Sequence, residues 1–236
     1  MSFDPQKNSL PKTSLHSPAT GQMSIPRSGL SRPLWLTREN KQLAVLVRDC
    51  SGSMSGPKAT EATAASQGLV NELAQPANRD GFEVAVVNFE SNARLEHDVT
   101  LATALRDHVK PVYGGGGTNM ATGLAIADEV LSRAQFKAET YLRSVVVAFS
   151  DGQTCGKDET RSIATKLKKS ADLVTVAFGE DADEAFLREI ATSPEHFYRC
   201  SDGKSLRAFF AAVGATMCVS LQKGQNATIA LSQVRY

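Results

Sequence analysis

The sequence has no marked excess of charge of one sign. Its 236 residues include 26 Lys and Arg against 25 Asp and Glu, so the net charge is +1. A protein that binds mainly to nucleic-acid phosphates or to an anionic membrane surface needs a clear excess of basic residues to neutralise the phosphate charge. We therefore expect no nucleic acid and no membrane among the partners of this protein.

Long hydrophobic runs and closely spaced cysteine pairs are also missing. The longest nearly uncharged apolar run, residues 209–221, has 13 residues, whereas a membrane-spanning helix needs about 20. The four cysteines contain no CxxC pair, which indicates reduced thiols rather than a disulfide framework. The N-terminus shows no apolar signal segment. These features predict a cytoplasmic protein without a transmembrane helix.

The first part of the chain has few aliphatic residues and many prolines. Residues 1–33 hold five prolines among Ser, Gly, Lys and Gln. Such a segment buries too little apolar surface to offset the entropy that is lost when a chain becomes ordered. We predict a flexible Pro/Ser-rich tail over residues 1–37, a folded domain over residues 38–221 and a C-terminal tail over residues 222–236.

From about Lys41 onward, short β-branched runs alternate with longer helical stretches. This pattern is typical of a parallel sheet with helices on both faces. Nearly continuous apolar runs predict buried parallel strands at residues 43–48, 82–89, 144–149 and 173–178, with a shorter one at 196–200. Helices are predicted at about 57–75, 119–134, 159–170, 183–192 and 203–217.

Residues 93–100 differ from the other predicted strands. They alternate polar and apolar side chains after a Ser-Asn turn, which predicts an edge strand paired antiparallel to its predecessor. The expected fold class is therefore α/β: a three-layer, doubly wound, mostly parallel sheet with one antiparallel edge strand.

Oxygen-bearing side chains follow three of the predicted elements. Ligands of open α/β sheets bind beyond the carboxyl ends of the strands. After the first strand, Asp49, Ser51 and Ser53 alternate with other residues, so in an extended segment their side chains point the same way. A run of four glycines precedes Thr118, and Asp151 follows the strand at 144–149.

These donors suit a hard cation, because hydroxyl and carboxylate oxygens stand here without nearby Cys or His ligands. Mg²⁺ is the first expectation, and Mn²⁺ and Ca²⁺ are alternatives. If the neutral hydroxyls bind the ion directly and the carboxylates act mostly through water, the ion keeps much of its positive charge. An acidic group of a partner would then complete its coordination shell.

Three motifs occur in the order DCSGSM, GGGGTNM and FSDG, at residues 49–54, 114–120 and 149–152. Together they resemble the metal-ion-dependent adhesion site (MIDAS) of the von Willebrand factor A (VWA) domain family, whose first motif is DxSxS. The resemblance covers about residues 41–218. It implies a doubly wound sheet with one antiparallel edge strand.

The resemblance also implies roles for the site residues. Ser51 and Ser53 would ligate the metal directly, Thr118 would join or leave with the conformation, and Asp49 and Asp151 would hold bound waters. The implied function is a metal-dependent protein-protein interaction module that captures an Asp or Glu of a partner, without catalysis. Asp49→Ala is expected to abolish metal affinity and to leave the fold intact, on the view that Asp49 lies at the surface.

Among VWA proteins, the chain most resembles the bacterial members of tellurium-resistance and stress-response clusters.

Simpler structural roles remain open for single residues: Thr118 could cap the helix that starts near Asn119, and Asp151 could belong to an ordinary turn. Cys50 and Cys155 lie in loops at the same edge of the predicted sheet, so a redox link between them is an alternative to simple packing.

An enzyme is the main alternative function. A magnesium-dependent phosphatase of the haloacid-dehalogenase type would use Asp49 as its nucleophile. Such an enzyme needs a second aspartate two residues later, but that position holds Ser51, whose hydroxyl lacks a pKa suited to proton transfer near neutral pH. The lysine that it also requires would be Lys166, Lys168 or Lys169.

Overall fold

The computed structural model describes Met1 and residues 41–135 and 141–236. The predicted flexible tail at residues 1–37 lies, apart from Met1, outside the described residues. Except for one pair of consecutive strands and one pair of consecutive helices, strands and helices alternate along the described chain. The strands are β1 (Lys41–Asp49), β2 (Phe82–Phe89), β3 (Ala93–Leu101), β4 (Tyr141–Ser150), β5 (Ala171–Phe178) and β6 (Phe197–Cys200). The helices are α1 (Pro57–Leu73), α2 (Met120–Gln135), α3 (Lys157–Leu167), α4 (Glu184–Ile190), α5 (Gly203–Gln222) and α6 (Thr228–Leu231).

The strands form one sheet in the order β3-β2-β1-β4-β5-β6. β3 pairs antiparallel with β2, and the other neighbouring strands are parallel. The predicted fold class, including the antiparallel edge strand, is therefore confirmed. The strand order reverses at β1, which has β2 on one side and β4 on the other. The carboxyl ends of β1 and β4 consequently border the crevice in which ligands of doubly wound sheets bind.

Helices cover both faces of the sheet. On one face, Leu69 of α1 and Phe209 of α5 pack with Leu46 of β1 in one hydrophobic cluster. On the other face, Leu124 of α2 packs in a second cluster that contains Val45 of β1. Neighbouring residues of β1 thus enter opposite layers, as the pleat of a strand requires. This double burial explains why the strand sequences are almost continuously apolar.

Residues 222–236 are part of the folded domain, which corrects the predicted C-terminal tail. Ala227, Leu231 and Val234 are buried in the same cluster as α5. The Tyr198 hydroxyl of β6 donates a hydrogen bond to the carbonyl of Leu231. These apolar residues are few and widely spaced, so the sequence shows no periodic run there, and their burial depends on the surface that α5 and β6 offer.

Helix α5 is the one described helix that is long and apolar enough to cross a membrane, with 20 residues and a mean hydropathy of 1.2. It extends the 13-residue apolar run of the sequence in both directions. In this structure its Leu206, Phe209, Phe210 and Val213 are buried against the sheet and α1. An apolar helix in the core of a globular domain has the same composition as a short membrane span.

Candidate metal-binding site

Asp49 ends β1 at the bottom of the crevice, where the loop after β1 and the last residue of β4 hold its carboxylate. The backbone amide of Ser51 donates to Oδ1 over 2.8 Å, and the hydroxyl of Ser150 donates to Oδ2 over 2.5 Å. Asp49 has 0% exposure, which corrects its expected position at the surface. Asp49→Ala would therefore leave a buried amide and a buried hydroxyl without their acceptor, a loss that costs stability.

The loop after β1 brings the two serine hydroxyls together through a turn rather than through an extended segment. Residues Gly52–Met54 form a short 3₁₀ helix, in which the amide of Met54 bonds to the carbonyl of Ser51 over 3.0 Å. The buried side chain of Met54 anchors this turn in the core. Within it, the hydroxyl oxygens of Ser51 and Ser53 lie 3.1 Å apart.

Asp151 joins this pair from the loop after β4. The hydroxyl of Ser53 donates to Asp151 Oδ1 over 2.7 Å. Asp151 is fully buried and Ser51 nearly so, whereas Ser53 is exposed. The structure therefore unites Asp49, Ser51, Ser53 and Asp151 in one hydrogen-bonded cluster whose outermost member, Ser53, faces solvent.

The glycine run brings Thr118 against both of these loops. The amide of Gly52 bonds to the carbonyl of Gly116 over 3.1 Å, and the amide of Gly115 bonds to the carbonyl of Cys50 over 2.8 Å. The carbonyl of Thr118 accepts the amide of Cys155 over 2.9 Å. The hydroxyl of Thr118 makes no hydrogen bond to the other four predicted ligands among the described residues. Its loop joins the cluster through the backbone.

Thr154 and Ser150 are functional neighbours that the sequence motifs did not reveal. The hydroxyl of Thr154 accepts the amide of Met120, the first residue of α2, over 2.9 Å, and donates to the carbonyl of Thr118 over 3.2 Å. Thr154, and not Thr118, therefore caps α2. Ser150 stands beside Asp151 in the FSDG motif, a proximity that could have indicated its role, whereas nothing local marks Thr154.

Burial and one ion pair set the electrostatics of the site. Burial raises the pKa of the Asp49 carboxyl, and hydrogen bonds from Ser150 and Ser51 partly oppose that rise. Asp151 has a different environment, because the ammonium of Lys58 lies 2.5 Å from its Oδ2. Lys58 is the second residue of α1. Lys58 follows the first motif closely in the sequence. A cationic side chain does not ligate a metal ion, however, so the motif does not indicate this ion pair.

The donors fit a hard divalent cation. Within the described ranges, no group of three or more His, Cys, Asp or Glu residues is placed to hold a metal ion, so hydroxyl oxygens would have to supply part of any coordination shell here. The oxygens of the cluster come from two serines and two carboxylates. Beside Thr118, the side-chain oxygen Oδ1 of Asn119 is buried without a hydrogen-bond partner in the described part of the chain. Hydroxyl and carboxylate oxygens are the ligands of Mg²⁺, Mn²⁺ and Ca²⁺.

Cys50, one of the two cysteines near the site, has surroundings that do not favour thiol exchange. Burial raises the pKa of Cys50 to about 11, and its thiol contacts the carbonyl of Arg48 at 3.7 Å. Because the thiolate is the reactive form, this environment favours a packing role for Cys50. Cys155 is exposed, and neither cysteine forms a disulfide among the described residues.

The phosphatase alternative gains no support from the geometry. Both carboxylate oxygens of Asp49 accept hydrogen bonds from protein groups, and the side chain is fully buried, so neither oxygen is open to an incoming phosphate ester. Two of the three candidate lysines bond elsewhere: Lys166 to Asp128 over 2.6 Å, and Lys168 to the carbonyl of Ala191 over 3.0 Å.

Solved structures with the same fold include proteins from bacteria and from a mussel. A von Willebrand factor type A protein from Catenulispora acidiphila is 22% identical, with a TM-score of 0.63 over 76% of this chain and 43% of its own. The pilus adhesin SpaC from Lactobacillus rhamnosus GG in its open conformation is 13% identical, with a TM-score of 0.67 over 81% of this chain and 31% of its own. The proximal thread matrix protein 1 of the mussel byssus, with a zinc-occupied MIDAS motif, is 20% identical, with a TM-score of 0.56 over 76% of this chain and 46% of its own.

The chain thus spans less than half the length of these three proteins, and at such identities the likeness shows the fold alone. No curated protein sequence matches the chain. The family model of the von Willebrand factor type A domain matches residues 44–212, a range that starts in β1, ends in α5 and includes all five predicted metal ligands. The chain therefore belongs to the von Willebrand factor type A domain family.

Proposed function

We propose that this protein is a metal-dependent protein-interaction module. It binds Mg²⁺ through the hydroxyls of Ser51, Ser53 and Thr118, while Asp49 and Asp151 act through bound water. The bound ion supplies a Lewis-acidic position to which an outside carboxylate can bind. The observation that carries this proposal is the hydrogen-bonded row of oxygens from Asp151 through Ser53 to Ser51, in which two buried side chains flank the solvent-exposed hydroxyl of Ser53.

Neutral hydroxyls as direct ligands explain why an acidic partner is preferred. They leave most of the charge of the ion uncompensated, and that charge attracts an anion. The buried carboxylate of Asp49 is held in place by Ser150 and by the amide of Ser51, so it supplies a fixed negative charge beneath the hydroxyls. The site is therefore selective for an Asp or Glu side chain of a partner protein.

Helix α1 adds to this selectivity. It is 17 residues long and begins at Pro57, directly after the loop that carries Ser51 and Ser53. The N-terminal end of a helix carries a partial positive charge, which favours negative groups nearby. An acidic side chain that approaches Ser53 meets this charge as well as the metal.

The structural relatives support a binding role for the fold. One of them is a pilus adhesin, and another holds zinc in a MIDAS motif. On the resemblance of the sequence, we also propose that the interaction takes place in the cytoplasm, in a bacterial tellurium-resistance or stress-response system.

A pull-down from native lysate with and without EDTA tests whether the protein binds a partner through the metal ion. The expected result is a protein partner that is retained with Mg²⁺ and released by EDTA.

A pair of serine variants tests the ligand set. Ser53→Ala should lower Mg²⁺ and Mn²⁺ affinity by about tenfold or more, because it removes an oxygen from the row. Ser55→Ala is the matched control, since Ser55 lies in the same loop, is also exposed and does not take part in the row. Isothermal titration measures both affinities. Wild-type affinity in Ser53→Ala would show that the ion, if bound, lies elsewhere.

Turnover of a phosphate ester separates this function from the phosphatase. The wild-type protein with Mg²⁺ should leave a generic aryl phosphate unchanged. Turnover that disappears in Asp49→Asn would instead establish Asp49 as a nucleophile and overturn the interaction module.

A further inference from the structure

A cation belonging to the chain already lies at the proposed metal site. The ammonium of Lys58 is 2.5 Å from Asp151 Oδ2, while the other carboxylate oxygen of Asp151 accepts the hydroxyl of Ser53. The side chain of Asp151 has no exposure, and that of Lys58 is 35% exposed. A buried carboxylate of the site is therefore neutralised from the solvent side by a lysine.

The surroundings leave room for this lysine. Gly179 follows β5 with a φ of +89°, a conformation that favours glycine. A Cβ atom added to Gly179 would lie 3.6 Å from the Nζ of Lys58 and 3.8 Å from its Cε. Gly179 therefore borders the end of the Lys58 side chain, whose ammonium contacts Asp151.

Lys58 and a divalent ion would be attracted to the same negative charge, that of the Asp49 and Asp151 carboxylates. The carboxylates of Asp49 and Asp151 with the ammonium of Lys58 sum to −1, and the addition of a divalent ion would bring the sum to +1. Two cations next to one buried carboxylate repel each other, and this repulsion is screened less in a half-buried site than in open water. The ion is bound best when the ammonium has moved away from Asp151.

We propose that Lys58 is a tethered competitor of the metal ion. Its ammonium takes the place of a cation at Asp151 and leaves when a divalent ion binds, so Lys58 lowers the metal affinity of the site. This inference rests on the proposed metal site. It differs from that proposal because it assigns a regulatory role to a residue that donates no oxygen to the ion.

Mn²⁺ binding by Lys58→Met tests the competition. Methionine keeps most of the aliphatic side chain and removes the ammonium. The electron paramagnetic resonance signal of unbound Mn²⁺ gives the dissociation constant directly. We expect Lys58→Met to bind Mn²⁺ about five- to tenfold more tightly than the wild-type protein, the effect of removing one partly exposed ion pair. The control is Lys166→Met, which removes an ammonium 2.6 Å from Asp128, between α3 and α2, and should change the constant by less than about twofold.

Unfolding with and without metal supplies a second readout. In EDTA, Lys58→Met should unfold at a lower denaturant concentration than the wild-type protein, because Asp151 is left buried without a cation. Saturating Mn²⁺ should remove that difference, whereas a purely structural lysine would leave it. Equal Mn²⁺ affinities of the two proteins would overturn the competition and leave the metal site standing. Failure of both proteins to bind Mn²⁺ would overturn both proposals.

Discussion

At the scale of single residues, the two carboxylates of the site are alike in burial and different in their partners. Asp151 pairs with the ammonium of Lys58. Asp49 accepts hydrogen bonds from neutral groups, and burial raises the pKa of its carboxyl. A buried charge that lacks a cation destabilises the folded state. The charge of Asp49 therefore lowers the stability of the metal-free protein. A metal ion bound nearby would compensate this charge.

Asp49→Asn should make the metal-free protein more stable at pH 7. The raised pKa of Asp49 in the folded state means that its stabilising contribution is full below the unfolded pKa, about 4, and is lost as the pH rises through the folded pKa. The asparagine variant does not titrate, so its advantage over the wild-type protein should grow from pH 4 towards neutrality. Urea unfolding in EDTA across this range measures the difference.

The same variant should bind Mn²⁺ more weakly, by about tenfold or more, because an amide carries no charge beneath the ligands. The combination of higher stability and lost affinity would identify Asp49 as a functional residue. A variant that is less stable than the wild-type protein at every pH would show that the carboxylate is structural.

At the scale of elements, the loop with four glycines is set by close backbone contact. A Cβ atom added to Gly114 would lie 2.6 Å from the amide nitrogen of Ser55 and 2.8 Å from the carbonyl carbon of Met54. Both neighbours are backbone atoms of the loop that carries Ser51 and Ser53, so they cannot rotate away. Within the glycine run, packing thus requires glycine at position 114.

Gly114→Ala should therefore separate the two loops, with a cost of about 1–3 kcal/mol in unfolding free energy and weaker Mn²⁺ binding. Gly115→Ala is the matched control, because an added Cβ there has no neighbour within 4 Å in the described part of the chain. Denaturant unfolding and Mn²⁺ titration of the two variants check both effects. Equal behaviour would mean that the loop adapts to a methyl group.

The elements themselves were predictable to different degrees. β1, β2, β4 and β5 are buried on both faces, and their continuous apolar runs indicated them within a few residues. The turn at Gly52–Met54 was not predicted, because an alternation of Asp and Ser is compatible with an extended loop. The buried contact of Met54 with the core decides in favour of the turn.

At the scale of the whole molecule, the reversal of strand order at β1 creates the site. It places the end of β1 beside the end of β4, so that Asp49 and Ser150 come within hydrogen-bond distance across 101 residues of sequence. The C-terminal segment closes another part of the domain, where Leu231 is buried beneath Tyr198.

Two substitutions in this C-terminal segment test its role. Leu231→Ala should lower the unfolding free energy by about 2–5 kcal/mol, the usual cost of truncating a buried leucine. Ile229→Ala should change it by less than about 0.5 kcal/mol, because Ile229 is 75% exposed. Chemical denaturation of the full chain compares them. Similar small effects of both changes would restore the interpretation of residues 222–236 as a tail.

The sequence by itself determined the layered α/β fold, the antiparallel edge strand and the oxygen donors of the candidate site. These features are written in local patterns: apolar runs, polar alternation and short motifs at strand ends. Only the tertiary structure decided that Lys58 pairs with Asp151, that Ser150 holds Asp49 and that Thr154 caps α2. Each of these contacts joins residues far apart in the chain, and their meeting depends on the order of the strands and on close packing, which no local pattern contains.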